Sequence, residues 1–193
     1  MWKSEKDTTY EFSIYAEKIN VPVIFMNDFI TLGWQEYATL GVSTPGGWTG
    51  HNDSLYCVRN LYDLNSEYFL VKFLCHEGRH FADSKLFPKL SSADLEYRAK
   101  LTELSLFKEK LYKTINMFIY NANYESDNPH SVANYCVIRD LSKVLFNVEF
   151  EKDTSKWGKI SVKKINKSAY KLLRVNTSAL EKQGAGVEKY IKK

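Results

Sequence analysis

Between Asn65 and Pro88 the apolar residues Phe69, Leu70, Phe73, Leu74 and Phe81 recur at helical intervals with no proline among them, predicting a helix over roughly residues 66 to 83. Asn65 or Ser66 can cap its start. After Phe87-Pro88-Lys89-Leu90 turns the chain, Ser91 or Ser92 can cap a second helix, running to about residue 121 with a bend or break expected near Asn116 to Asn121. A third follows Asn128-Pro129, a cap and a first-turn proline, and keeps its apolar period through Val137, Ile138, Leu141, Val144, Leu145 and Phe146. Upstream, Val21 to Met26 and Ser54 to Val58 read as short strands, with Pro22 favouring an edge or first-strand position. Thr44 to Asp53 between them is rich in turn formers, and Trp48 there is either a substrate contact on a loop or a side chain tucked into the core. Met1 to Asp7 reads as a polar leader, Lys159 to Lys167 alternates partly like an edge strand, and Ser178 to Lys193 reads as a short helix or loose tail. The fold class expected is α+β, mainly helical, with a small sheet ahead of the first long helix.

The first long helix carries chemistry. His76-Glu77-Gly78-Arg79-His80 is an H-E-x-x-H run, and four-residue spacing on a helix turns both imidazoles to one side, where one Zn²⁺ can take a nitrogen from each. Glu77 lies about 100° round the helix from His76. That direction suits a general base better than a third ligand. The third ligand should come from elsewhere, leaving the fourth position open to water. Glu96 and Glu103, seven apart on one face of the second helix, can each reach such a metal. Glu96 is preferred because it lies near the helix start with the small Ala99 one turn on, and Glu103 then becomes a partner for a ligand imidazole. Asp83 is another such partner, His51 an extra ligand candidate, and Arg98 and Lys100 are expected to pair with acids on the helix surface.

H-E-x-x-H followed by a glutamate on the next helix resembles the zincin metallopeptidases of the glutamate-ligand branch, the gluzincins and their compact relatives. Glu96-Tyr97-Arg98-Ala99 matches the Glu-x-x-Ala pattern of several members, whereas Lys100 stands where many carry an aspartate or asparagine, and the likeness covers residues 67 to 107. The resemblance implies Zn²⁺ on His76, His80 and Glu96, with Glu77 as base and then acid in peptide hydrolysis. It also implies a small sheet before the metal helix, whose edge strand lines the substrate cleft. A group beyond the metal must stabilise the oxyanion. His130, in the first turn of the third helix, and Tyr135 are the candidates, with Tyr120 and Tyr124 as weaker ones. Two other readings share the same residues: a protein- or peptide-binding module on a degenerate metallopeptidase scaffold, and a zinc hydrolase of non-peptide amides or esters.

Size and composition fit a single substantial core, with 193 residues and 44% hydrophobic content. Residues 1 to 150 are expected to form the metallopeptidase-like domain, sheet included, and 151 to 193 a basic extension packed on it. Residues 1 to 150 hold 15 Lys or Arg against 19 Asp or Glu, and residues 151 to 193 hold 12 against 4, so the net charge of +4 belongs to the C-terminal region. That region suits an acidic partner, but it lacks the aromatic platform or the helix-turn-helix and finger patterns that would mark specific nucleic-acid binding. No apolar run reaches membrane-spanning length and no secretory signal is visible. Cys57, Cys75 and Cys136 are too few and too scattered for a disulfide framework. Unpaired thiols favour the cytoplasm, although an excised exported domain would have the same cysteines.

Overall fold

The computed structural model describes residues 1–14, 17–31, 33–40, 46–50 and 54–192, and its fold is α+β, a four-stranded sheet followed in the chain by a mainly helical remainder. It divides into two compact units, Met1–Phe81 and Ala82–Lys193, and the helix that carries the histidine pair runs across the division.

In the first unit, β1 (Trp2–Ile14) and β2 (Glu17–Phe29) pair antiparallel along their whole length. The short helix α1 (Trp34–Ala38) follows, then β3 (Gly47–Thr49) and β4 (Leu55–Val58). Sheet order is β1-β2-β4-β3, with β4 parallel to β2 and antiparallel to β3. The two strands expected from sequence are present, but β2 is central, not an edge. Pro22 is tolerated there because β4 pairs only with Val23 to Met26, leaving β1 as the sole neighbour of Pro22. Residues 2 to 7, where a polar leader is expected, lie in β1. Lys3 to Asp7 are exposed on both faces of β1, so the backbone ladder rather than an apolar pattern holds them in the strand.

The chain then enters a π-helical stretch, Tyr68–Cys75, whose wider turns close i→i+5 bonds; the N–H of His76 reaches the carbonyl of Val71. This widening departs from the expected α-period: Leu70 is 43% exposed while Val71 is buried. Phe69 packs its ring against Phe25, Tyr10 and Tyr62, fixing the stretch to the sheet side of the unit. α2 (His76–Leu86) continues from it. A Cβ on Gly78 would lie 2.5 Å from Phe12 and 3.3 Å from Val21, so glycine is what lets the helix lie this close to β1 and β2. Arg79, 2% exposed, holds both carboxylate oxygens of Glu17 at 3.1 and 2.6 Å. The two middle residues of the H-E-x-x-H run thus anchor it to the sheet.

The second unit is built round α3 (Ser92–Leu106), against which α5 (Pro129–Phe146) and α7 (Val162–Gln183) pack most extensively. α4 (Leu111–Tyr120) and the short α6 (Thr154–Trp157) complete it. The long second helix expected from sequence is two helices, broken at Phe107 rather than near Asn116. Phe107 leaves helical geometry with its ring buried, and the side-chain amide of Asn166 on α7 donates to the carbonyls of Leu104 and Phe107. A contact some sixty residues away therefore ends the helix.

The C-terminal region is helical where an edge strand was expected. Ser161 caps Lys164, and Ile165, Ala169, Leu173, Asn176 and Leu180 form the buried stripe of α7. Nor are the last residues a loose tail. Asp94 accepts the N–H groups of Tyr190 and Ile191, Arg139 donates to the carbonyl of Lys192, and Val187 and Ile191 are buried. No helix among the described residues is long and apolar enough to cross a membrane.

Candidate metal centre

Two consecutive helices supply the chemistry. On α2, His76 is 5% exposed and His80 half-buried, with ring centroids 4.7 Å apart and Nε2 atoms 3.1 Å apart. A tetrahedral zinc with metal–nitrogen bonds near 2.0–2.1 Å sets its ligands about 3.3 Å apart, so the two nitrogens already stand at nearly the separation one ion requires. Glu96 on α3 offers a carboxylate oxygen, and the ligand atoms of His76, His80 and Glu96 all lie within 4.8 Å of one another. Two nitrogens and one oxygen are a donor set suited to zinc, and three ligands leave one of its usual four positions to another group. Glu77 is half-buried on the same helix.

α3 delivers Glu96 in an unusual setting. Asp94 and every residue from Glu96 to Ser105 are buried, ionisable ones included, a burden that a helix bears only when each charged group has an answer nearby. Ser91 caps the helix, its hydroxyl accepting from the N–H of Asp94 and donating to that carboxylate. Arg98, 0% exposed, grips Asp83 with Nε and Nη2 at 2.6 and 2.8 Å and sends Nη1 to Asn176 and Thr177. Asp83 thus pairs with Arg98, and Arg98 lies in the core rather than pairing on the surface as expected. Lys100, also expected at the surface, is 4% exposed; its ammonium is 3.6 Å from Oε2 of Glu96 and 4.9 Å from the centroid of the Phe118 ring. The position where the resemblance leads one to look for an acid or amide thus carries a cation held to the third ligand candidate. Nothing in the sequence pattern signals this pairing beyond its i,i+4 spacing.

Of the remaining candidates, His130 comes to Glu96. Its Nδ1 lies 2.8 Å from Oε2, while the ring is 58% exposed and its backbone N–H is received by the Asn128 cap. Tyr135 is half-buried in an aromatic row, stacked on Phe150 at 5.1 Å and edge-on to Tyr124 at 5.5 Å. Tyr120 is 88% exposed at the end of α4. Glu103 is fully buried on α3 but is not a member of the three-residue cluster. Trp48 lies in β3, 38% exposed and stacked on Tyr56, so it stands on a strand rather than a loop and is not tucked into the core. His51 falls outside the described residues.

Sequence reasoning passed over Tyr62. Burial pushes its phenol upward, with Tyr68, Cys57 and Glu77 adding to the effect, so it stays a protonated O–H within electrostatic range of Glu77. The three cysteines are free and buried, and burial raises Cys57 and Cys75 to about 12 and Cys136 to about 11. All three lie outside the cluster of candidate metal ligands. A cleft of about 850 Å³ in the second unit runs past the starts of α3 and α5, lined by Ser92, Ala93, Tyr124, Pro129, Lys189 and Lys192 among others, and contains none of the three ligand candidates.

Comparison of the chain with protein-family models, with curated proteins and with solved structures finds no match. The site is therefore read from its own chemistry.

Proposed function

We propose that the chain is a zinc-dependent hydrolase acting on peptide bonds, of the glutamate-ligand zincin type. The observation that carries the reading is the approach of His76, His80 and Glu96, from two helices, to within 4.8 Å of one another through atoms that can each ligate a metal. The donor set fits zinc, and the fit does not depend on the H-E-x-x-H spacing alone: Glu96 lies sixteen residues beyond His80. Bound there, Zn²⁺ would supply Lewis acidity, which makes water a nucleophile near neutral pH and polarises a carbonyl.

The chain's own groups divide the remaining work. Glu77 takes the proton of the attacking water on its carboxylate and returns it to the leaving amine, so that one residue serves as base and acid. His76 and His80 are held in register by Gly78 and Arg79, whose contacts fix α2 against β1 and β2. The oxyanion needs a donor, and His130 is supported in that role by its exposure beside Glu96, with Tyr135 as the other candidate. Unactivated amides are the substrates that most require an acidified water, a base and an electrophile together, which favours peptides.

Purified protein should contain close to one zinc per chain. Glu77→Gln should keep that zinc and lower hydrolysis of a quenched-fluorescence peptide library by at least about 10²-fold, the low end of what a general base contributes. A chain that holds zinc and hydrolyses no peptide, or a Glu77→Gln variant as active as the wild type, would end the peptidase reading.

A further inference from the structure

Oε2 of Glu96 has two nitrogens against it, Nδ1 of His130 at 2.8 Å and Nζ of Lys100 at 3.6 Å. The His130 contact is a close approach of polar atoms rather than an aligned hydrogen bond. Its setting sets it apart from a surface contact. The Glu96 side chain is 11% exposed, where solvent screens little, and Lys100 is pinned by burial and by the Phe118 ring. A glutamate has three side-chain torsions, of which a helix backbone restricts chiefly the first; two nitrogens from different elements, Nζ of Lys100 on α3 itself and Nδ1 of His130 in the first turn of α5, stand against one carboxylate oxygen and limit the others.

The geometry points to His130 as a positioning residue for Glu96: from the start of α5 it holds the carboxylate in the orientation presented to the cation, and the affinity of the site for metal depends on it. The inference rests on the zinc reading above and deepens it. It assigns the Nδ1 edge of the ring to Glu96, leaving Nε2 for any contact with substrate. Groups that hold a ligand carboxylate typically contribute 10- to 100-fold to metal affinity.

The test is zinc affinity of the full chain, measured by competition with a chromophoric chelator, for the wild type, Glu96→Ala, His130→Ala, His130→Asn and the double variant Glu96→Ala/His130→Ala. His130→Ala should bind zinc about 10- to 100-fold more weakly with an unchanged far-ultraviolet spectrum, since the ring is exposed. His130→Asn, whose amide places an N–H near the position of Nδ1, should recover most of the loss. In the Glu96→Ala background, removing His130 should change little, because its effect passes through Glu96. The visible spectrum of the cobalt-loaded protein should shift in His130→Ala, as a purely structural role would not require. Wild-type affinity in His130→Ala, or a loss that persists in full without Glu96, overturns the inference while leaving the zinc reading in place. Failure of the wild type to bind zinc, or full binding by Glu96→Ala, overturns the zinc reading and this inference with it.

Discussion

Arg98→Ala should be among the most damaging single substitutions in the second unit. The guanidinium and the Asp83 carboxylate are each 0% exposed and joined by two charge-assisted bonds of 2.6 and 2.8 Å, with Asn176 and Thr177 occupying the third nitrogen. Truncation takes both guanidinium bonds from a carboxylate in the core, and removing one partner of such a pair costs about 3–5 kcal/mol. Against a total stability of about 5–15 kcal/mol that is a large share. With a urea m-value near 2 kcal/mol/M, the midpoint of the corresponding transition should fall by about 2 M, read by far-ultraviolet circular dichroism. Replacing both charges together, as Asp83→Leu with Arg98→Met, should recover most of the loss, because two well-packed apolar groups need no answer from each other. A midpoint in Arg98→Ala within about 0.3 M of wild type, corresponding to less than about 1 kcal/mol, would refute the assignment of a dry, closed pair. So would a double variant as unstable as the single one.

Two further outcomes follow from the packing and the thiols. Gly78→Ala should destabilise the first unit by about 1–3 kcal/mol, since its new methyl group meets Phe12 at 2.5 Å, and a thermal melt no lower than wild type would show that α2 does not lie that close to the sheet. Cys57 and Cys136, raised by burial to about 12 and about 11 from an ordinary value of 9.0, keep their protons in the fold after the unfolded chain has lost them. Their contribution to stability is therefore whole below pH 9 and declines as pH rises from there through 11 to 12; urea midpoints across that range, with native thiols silent to an aromatic disulfide reagent at pH 8, are the check.

What the sequence made legible, and what it hid, divides along physical lines. The histidine pair and the choice of Glu96 over Glu103 for the metal cluster rest on helix geometry, which a four-residue spacing and a capped second helix carry by themselves. The inward set Thr8, Tyr10, Phe12 and Ile14 alternates along β1 and was available to a period-two reading, but the charged run at residues 3 to 7 masked it. The helical stripe of α7 was likewise present from Ile165 to Leu180; the nine-residue window from Lys159 was too short to show it. Other features were not written locally at all. The end of α3 depends on Asn166, the burial of Arg98 on Asp83 and Asn176, and the meeting of His130 with Glu96 on how α5 packs against α3. α3 has no polar face to read because nearly all of it is enclosed, and its charged residues, which look like surface residues in a sequence, are core groups answered by other helices.

The central claim is that His76, His80 and Glu96 share one divalent cation, and a crystal of the full chain grown with one equivalent of zinc addresses it directly. An anomalous difference map recorded at the zinc edge should show a single strong peak bounded by these three side chains, with metal–nitrogen distances of about 2.0–2.1 Å. A map with no peak there, or with its peak at other residues while these three stand clear of it, would contradict the account.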